Sequence, residues 1–151
     1  MRENIGFKGH WTIEIRQDGK VIKTLDFDNI LTNLYKQDVL NQLKGDAFAS
    51  LQIKYLAIGT GTNPASVSDT QLQTEVFRMI PTSSSKTSDY VQTIWVIPTN
   101  VGNFTYKEIG VFAGSATATA NSGTLLSRVN VNIEKNSSME ITFIRKDYVT
   151  I

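Results

Sequence analysis

The residues best suited to chemistry in this 151-residue sequence are one histidine, one pair of carboxylates and one glycine-rich segment. His10 is the only histidine, so a Ser-His-Asp triad or a zinc site would have to use it, and the sequence holds no Gly-x-Ser-x-Gly segment. Asp26 and Asp28 flank Phe27 and would share one face of a strand, as a glycosidase-type pair requires. The simpler interpretation places them at a strand end, before a helix whose dipole favours acidic groups.

The segment Gly59-Thr60-Gly61-Thr62 suggests a phosphate-binding loop, but the residues around it do not fit one. A nucleotide-binding loop needs a Lys-Ser or Lys-Thr pair after its last glycine, and Asn63-Pro64 stands there instead. A dinucleotide fingerprint needs a third glycine that opens a helix, which is also missing. We therefore interpret Gly59, Gly61 and Pro64 as a structural corner, and the sequence predicts no catalytic residue and no cofactor.

Composition excludes several other functions. Cysteine is absent, which removes disulfides, thiolate catalysis and Cys-based zinc sites. Lys and Arg number 15 against 14 Asp and Glu, without a basic run, so direct binding to nucleic acid is not expected. The start of the chain has no apolar leader segment, and every apolar run is too short to span a bilayer, so neither a signal peptide nor a membrane location is expected.

The first third of the chain predicts a hairpin followed by a helix. Apolar and polar residues alternate over 11–16, Asp18-Gly19 is a typical hairpin turn, and 20–27 forms the return strand. An apolar stripe at helical spacing follows, made of Leu31, Leu34, Tyr35, Val39, Leu40 and Leu43. Thr32 or Asn33 can cap the start of this helix, and Gly45 can end it.

The remainder is typical of strands. Residues 55–58 predict a buried strand before the corner, and Asp69 predicts the capped start of a short helix over 69–72. Further strands are expected over 77–85, 90–97, 104–112, 124–134 and 139–151. The small polar segment 115–122 predicts a mobile loop. The sequence thus predicts a mainly β fold, a jelly-roll-like β-sandwich of about seven to nine strands with one early helix. One domain is expected over 1–151, with an extended N-terminal segment over 1–9.

Two stretches of the chain resemble a known group of proteins. The first runs from Ala57 to Pro64 and continues through Asp69-Thr70-Gln71-Leu72-Gln73-Thr74-Glu75 to Arg78. The second is Glu108-Ile109-Gly110-Val111-Phe112, followed by 123–128, which ends in Arg128. In this order and spacing they are similar to the tail-collar fibre, collar and baseplate-associated proteins of tailed bacteriophages.

The resemblance implies a non-enzymatic structural protein of the virion, assembled in the host cytoplasm. Because the sequence ends after its last strand without a fibre shaft, we expect an adaptor, collar, tail or capsid-decoration subunit. The alternative is a subunit that anchors a separate fibre. The expected partners are other virion proteins and further copies of the chain, in a ring or trimer. Residues with the composition for subunit contacts are Arg2, Asn4, Ile5, Phe7, Ser115, Thr117 and Thr119.

Two further groups of side chains have both a structural and a functional interpretation. Glu108 could form an ion pair with Arg78 or with Arg128, which we favour over a general-acid role. Aromatic residues could pack in the core or stack on sugar rings, and the core is favoured for most of them. These are Trp11, Tyr90, Trp95, Phe104 and Tyr106. The alternative hypothesis for function is therefore a carbohydrate-binding module that engages host-surface glycans.

Overall fold

A computed structural model describes residues 6–47 and 50–150, which contain ten strands and one helix. The elements are β1 (Gly6–Gln17), β2 (Lys20–Asp28), β3 (Ile30–Leu31), α1 (Asn33–Lys44), β4 (Ile53–Gly59), β5 (Glu75–Met79), β6 (Ser83–Lys86), β7 (Tyr90–Ile97), β8 (Thr105–Ala113), β9 (Thr124–Glu134) and β10 (Met139–Thr150). They form two antiparallel five-stranded sheets, in the orders β2-β1-β10-β7-β6 and β3-β9-β8-β4-β5. The predicted mainly β fold with a single early helix is confirmed.

The strand count differs from the expected seven to nine at two places. The two-residue strand β3 precedes the helix, where the sequence showed no strand pattern. The single strand expected over 77–85 is instead two strands, β5 and β6, which belong to different sheets. Pro81 lies between them, and a proline has no N–H to donate to a sheet, so one continuous strand through this point is disfavoured.

The described residues divide into two compact units, each built on one sheet. The first, called the β1 sheet unit, contains residues 6–29, 81–103 and 136–150, and the second, the β8 sheet unit, contains 30–47, 50–80 and 104–135. Residues 6–9, expected in an extended N-terminal segment, belong to strand β1. Arg2, Asn4 and Ile5 lie outside the described residues. A single domain over the whole chain remains a prediction.

The β1 sheet unit begins with the predicted hairpin. Asp18 and Gly19 have φ angles of 52° and 75°, the conformation that a tight two-residue hairpin turn needs. The pairing of β1 with β2 contains a bulge: Arg16 lies opposite Val21 and Ile15 opposite Lys23, so Ile22 has no partner. One face of the sheet is buried and apolar, formed by Trp11, Ile13, Ile15, Trp95, Ile97, Ile141 and Phe143.

The β8 sheet unit carries the helix, which is capped as predicted. The Thr32 hydroxyl accepts the Tyr35 N–H at 3.2 Å and donates to the Leu125 carbonyl at 2.6 Å, which ties the start of α1 to β9. Gly45 ends the helix with a φ of 83°. The helix nevertheless contains no fully buried residue, and Leu43 is 81% exposed, so its apolar stripe is not a core element within the described chain.

Candidate functional site

The glycine-rich corner follows directly on β4, which ends at Gly59. A side-chain carbon at Gly59 would overlap the Thr74 carbonyl oxygen and lie 2.5 Å from Oε1 of Glu108. At Gly61 it would overlap Gln73 and lie 2.6 Å from the same carboxylate oxygen. Neither glycine has a positive φ. Close approach of the neighbouring chain, and not an unusual backbone conformation, therefore requires glycine at both positions.

Pro64 is exposed and lies in a loop that is bonded to β9. The Asn63 carbonyl accepts from the Asn130 side-chain amide at 2.9 Å, and the Ala65 N–H donates to the same side chain at 2.7 Å. The Asn63 N–H donates to Oε1 of Gln73 at 2.8 Å. These bonds satisfy the polar groups of the loop on both sides of Pro64 and fix its path.

Glu108 is the centre of the corner. Its side chain is fully buried on β8, and Oε1 accepts the N–H groups of Gly61 at 3.0 Å and Thr74 at 2.7 Å. Oε2 accepts the Gln73 N–H at 2.9 Å and Nε of Arg128 at 2.7 Å. Burial alone would raise the pKa of Glu108, but these hydrogen bonds together outweigh it and the pKa is lowered. The buried carboxylate is therefore a charged acceptor whose oxygens are satisfied.

Arg128 extends this network to the following loop. Besides its bond to Glu108, it donates from Nη1 to Asp69 at 3.1 Å and from Nη2 to the Asn63 carbonyl at 2.9 Å. The Arg128 side chain is 3% exposed. Its planar guanidinium has donors aimed in several directions, which lets one side chain hold three separate segments.

The short helix expected to start at Asp69 is absent, and residues 69–72 are irregular, with a single bend at Gln71. The Asp69 carboxylate accepts the Ser66 N–H at 2.8 Å and pairs with Arg128, so it bonds upstream instead of capping a downstream helix. Leu72 is fully buried. A side-chain carbon at Gly110 would lie 2.8 Å from Leu72, so glycine in β8 leaves the space that this leucine occupies.

Arg78 pairs with Glu75 and not with Glu108, which resolves the two partners left open for Glu108. Arg78 donates from Nε at 2.7 Å and from Nη2 at 2.8 Å to the two oxygens of Glu75. The Arg78 and Glu75 side chains are 4% and 2% exposed. The guanidinium carbon also lies 4.6 Å from the ring centre of Phe112 and 5.1 Å from that of Tyr55.

The loop over 115–122, which composition predicts to be mobile, is bonded to this ion pair. Arg78 Nη1 donates to the Thr117 carbonyl at 2.7 Å and to the Ser122 hydroxyl at 3.0 Å, and the Asn121 N–H donates to Glu75 at 3.1 Å. The backbone of the loop is thereby held at three positions. Its proposed contact residues Ser115, Thr117 and Thr119 are exposed.

His10 belongs to a separate, exposed cluster in the β1 sheet unit. Nδ1 of His10 lies 2.6 Å from Asp28, and Nε2 contacts Asp26. The bond to Asp28 is the largest cause that raises the pKa of His10; burial opposes it and Asp26 adds to it. The same bond lowers the pKa of Asp28. The two aspartates therefore hold an imidazolium, and the expectation that they serve the helix dipole is wrong, since the first turn of α1 contains no acidic residue.

The aromatic residues divide between core and surface. Trp11, Trp95 and Tyr106 are fully buried, and Trp11 packs edge-on against Phe143 with ring centres 6.0 Å apart. Tyr90 is half-buried, with its ring tilted by 52° against Tyr148. Phe104 is also half-buried. Trp11 and Trp95 therefore cannot form an exposed platform for a sugar ring.

The arrangement around Glu108 is suited to structure and offers no free group for a reaction. Its acid is charged and hydrogen-bonded, and its arginine is engaged with three acceptors. In the part of the chain that the structure describes, no three His, Asp or Glu side chains could hold a metal ion. No helix among these residues is long and apolar enough to cross a membrane.

Sequence reasoning missed the roles of two acidic residues, Asp69 and Glu75. Both stand in the Asp-Thr-x-Leu-x-x-Glu segment, where Asp69 was interpreted only as a helix cap. The sequence offered one signal for these roles. Two arginines, Arg78 and Arg128, were matched with a single acid, Glu108, and a buried arginine is rarely left without a carboxylate of its own. Counting partners would have required at least one further acid near the corner.

The residues of the Glu108 and Arg78 networks all lie within the range that one family model matches. The family model described as "Phage tail-collar fibre protein, N-terminal" matches residues 24–137, more than half of the chain. The chain belongs to the phage tail-collar fibre family. It is thus a phage tail structural protein and a component of the virion. The comparisons with curated proteins and with solved structures found no match.

The geometry gives structural roles to residues in the two stretches that resemble tail-collar fibre proteins. Glu108 closes the corner, Gly110 makes space for Leu72, and Phe112 lies beneath the Arg78 guanidinium. Leu72 and Phe112 belong to one buried cluster with Ala57, Ala116 and Leu125. The motif therefore fixes two loops, 60–74 and 115–122, onto one sheet.

Proposed function

We propose that this chain is a non-enzymatic subunit of the phage tail that assembles with copies of itself and with other virion proteins. The observation that carries the proposal is the hydrogen-bonded pair of Glu108 and Arg128, in which a fully buried acid and a buried base both serve to hold loops in place. A catalytic acid or base needs an atom that is free to exchange a proton with the substrate. The role of such a network is to present a surface of fixed shape.

Within this proposal the subunit acts as an adaptor or collar piece to which a separate fibre is anchored. The fixed loop over 115–122 supplies exposed Ser115, Thr117 and Thr119 as one contact area. Phe7, 42% exposed in β1, is a second candidate contact. Rigid loops favour assembly because little conformational entropy is lost when they bind.

Labelled electron microscopy of purified virions tests the proposal. An antibody to the chain should label the tail at a fixed position, and particles made without the gene should lack the structure distal to that position. Complementation with wild-type protein should restore it, and the Glu108→Ala variant should not. Complete particles without the gene product, or label confined to the capsid or to non-virion fractions, would contradict the proposal.

Glycan binding is the alternative. Of the five aromatic residues considered for it, Trp11, Trp95 and Tyr106 are buried, and Tyr90 and Phe104 are half-buried, each with its ring tilted against that of a tyrosine. A glycan array with the purified protein tests it directly. Saturable binding that Tyr90→Ala abolishes would move the assignment from tail assembly to recognition of the host surface.

A further inference from the structure

Strand β2 leaves one side of the β1 sheet open. It is the first strand in the order β2-β1-β10-β7-β6, so only its β1 side is paired within the described chain. β2 has nine residues, whereas the other terminal strands β3, β5 and β6 have two, five and four. A long open edge presents a row of backbone N–H and C=O groups that another strand can bind.

Apolar side chains of β2 remain exposed on this edge strand. Val21 and Ile22 are 46% and 52% exposed, and Leu25 and Phe27 are only partly covered. β-branched and aromatic residues favour strand pairing, and exposed ones gain by burial when a strand is added. The composition of β2 therefore favours pairing with a further strand.

The distribution of charge along β2 favours one kind of partner strand. Its first half carries Lys20 and Lys23, and its second half carries Asp26 and Asp28. A second copy that runs antiparallel places each basic half beside an acidic half, whereas a parallel copy places like charges together. We propose that β2 pairs antiparallel with β2 of a second copy of this chain, about a twofold axis close to Thr24.

The neighbouring strand prepares the acidic half for this contact. On β1, Lys8 lies 3.4 Å from Asp28, and His10 contacts both aspartates of β2. The Asp26 and Asp28 side chains remain 62% and 57% exposed, so they are oriented but still accessible. Backbone hydrogen bonds and the apolar residues supply the affinity, and the segregated charges select the direction of pairing.

The resulting contact is isologous, since each copy contributes the same strand. It joins two β1 sheets into one continuous antiparallel sheet. The inference rests on the proposed self-assembly and names the surface that performs it. A protein that labels the tail but shows no β2 contact would overturn this inference alone, whereas absence from the tail would overturn the proposed function.

Sedimentation velocity over a range of protein concentrations provides the first test. The wild-type chain should associate, and Lys20→Glu with Lys23→Glu should raise the dissociation constant by about tenfold or more, because each copy then presents only acidic groups. The control is Lys36→Glu with Lys86→Glu, which changes the net charge by the same amount at exposed sites outside β2. This variant should associate like the wild type. Mixing the acidic-edge variant with Asp26→Lys/Asp28→Lys should restore association.

Crosslinking keeps the inference testable if the charge variants fold poorly. The chain has no cysteine, so Thr24→Cys introduces a single thiol at the proposed axis. A short thiol-specific crosslinker should join two copies of this variant, and should not join Ser84→Cys, which lies in β6 at the far side of the same sheet. A monomeric wild type at all concentrations, equal association of both double variants, or equal crosslinking at the two positions would overturn the inference.

Discussion

The Glu108 and Arg128 side chains are 0% and 3% exposed, whereas the Asp26 and Asp28 side chains that hold His10 are 62% and 57% exposed. Both clusters are built from a carboxylate and a cation on neighbouring strands. In the buried cluster every bond replaces a lost bond to water, so removal of one partner leaves the others uncompensated. In the exposed cluster water and salt replace a lost partner. Burial, and not the number of ion pairs, decides which cluster maintains the fold.

Removing the buried acid should have the largest effect. Glu108→Ala leaves Nε of Arg128 and three backbone N–H groups without their acceptor, and we expect a loss of about 3–5 kcal/mol in the free energy of unfolding. Urea titration measures it, with Asp26→Ala as the exposed counterpart, expected to cost less than about 1 kcal/mol. Equal losses in the two variants would contradict the comparison.

Removing the arginine of the second buried ion pair, Arg78 and Glu75, should have the next largest effect. Arg78→Met keeps the packing of the long side chain but removes both bonds to Glu75 and the bonds to the loop over 115–122. We expect a loss of about 3 kcal/mol and faster proteolysis within that loop. Lys107→Met, which removes a half-buried cation bonded to Asn132 on the same sheet, is the control. Unchanged cleavage in the loop would show that Arg78 does not hold it.

A side chain at the corner should cost somewhat less. Gly59→Val forces Thr74 and Glu108 apart and should destabilise the fold by about 1–3 kcal/mol. Gly6→Val is the matched control, because nothing lies within 4 Å of a side-chain carbon there and its φ is not positive. Thermal melting distinguishes them. A Gly59 variant that melts with the wild type would mean that the corner can relax.

The exposed cluster should show the smallest effect, visible as a dependence on pH. Because the folded-state pKa of His10 is raised above 6.5, its contribution is complete below about pH 6.5 and is lost as the pH rises through the folded-state value. The difference in stability between wild type and His10→Gln should therefore shrink from pH 6 to pH 9. A difference independent of pH would exclude the ionic contribution.

Glu108 should respond in the opposite direction. Its folded-state pKa is lowered, so its contribution is present above the ordinary value of 4.5 and is lost as the pH falls through the folded-state value. The stability difference between wild type and Glu108→Gln should shrink in acid and stay constant near neutrality. The two clusters thus lose their contributions at opposite ends of the pH range.

Local signals in the sequence predicted the elements well. Asp18-Gly19 marks its turn because both residues must adopt a positive φ, and Thr32 and Gly45 mark the ends of α1 by their capping chemistry. Each of these depends on residues close together in the chain. The corner glycines were also recognised, although the reason for them lies in Thr74 and Glu108, which only the fold brings near.

The choice of partners could not be predicted in the same way. Glu108 had two candidate arginines in sequence, and strand pairing places Arg128 in the neighbouring strand β9 while Arg78 has its own acid three residues away. The His10 cluster depends on the bulge. An unbroken hairpin register from Gln17 and Lys20 would place Phe27 opposite His10, whereas the observed register places Asp28 there. No residue type in β2 signals that shift.

The bulge also defines where this hairpin tolerates a change in length. Val21 and Lys23 face consecutive residues of β1, so the ladder already passes over Ile22. Deletion of Ile22 alone would leave every other cross-strand partner in place and would straighten β2. Deletion of a single residue between 23 and 28 would instead move the side chains of the remaining part of β2 to the opposite face of the sheet. A chain that lacks this one residue would therefore keep the other cross-strand contacts of the hairpin.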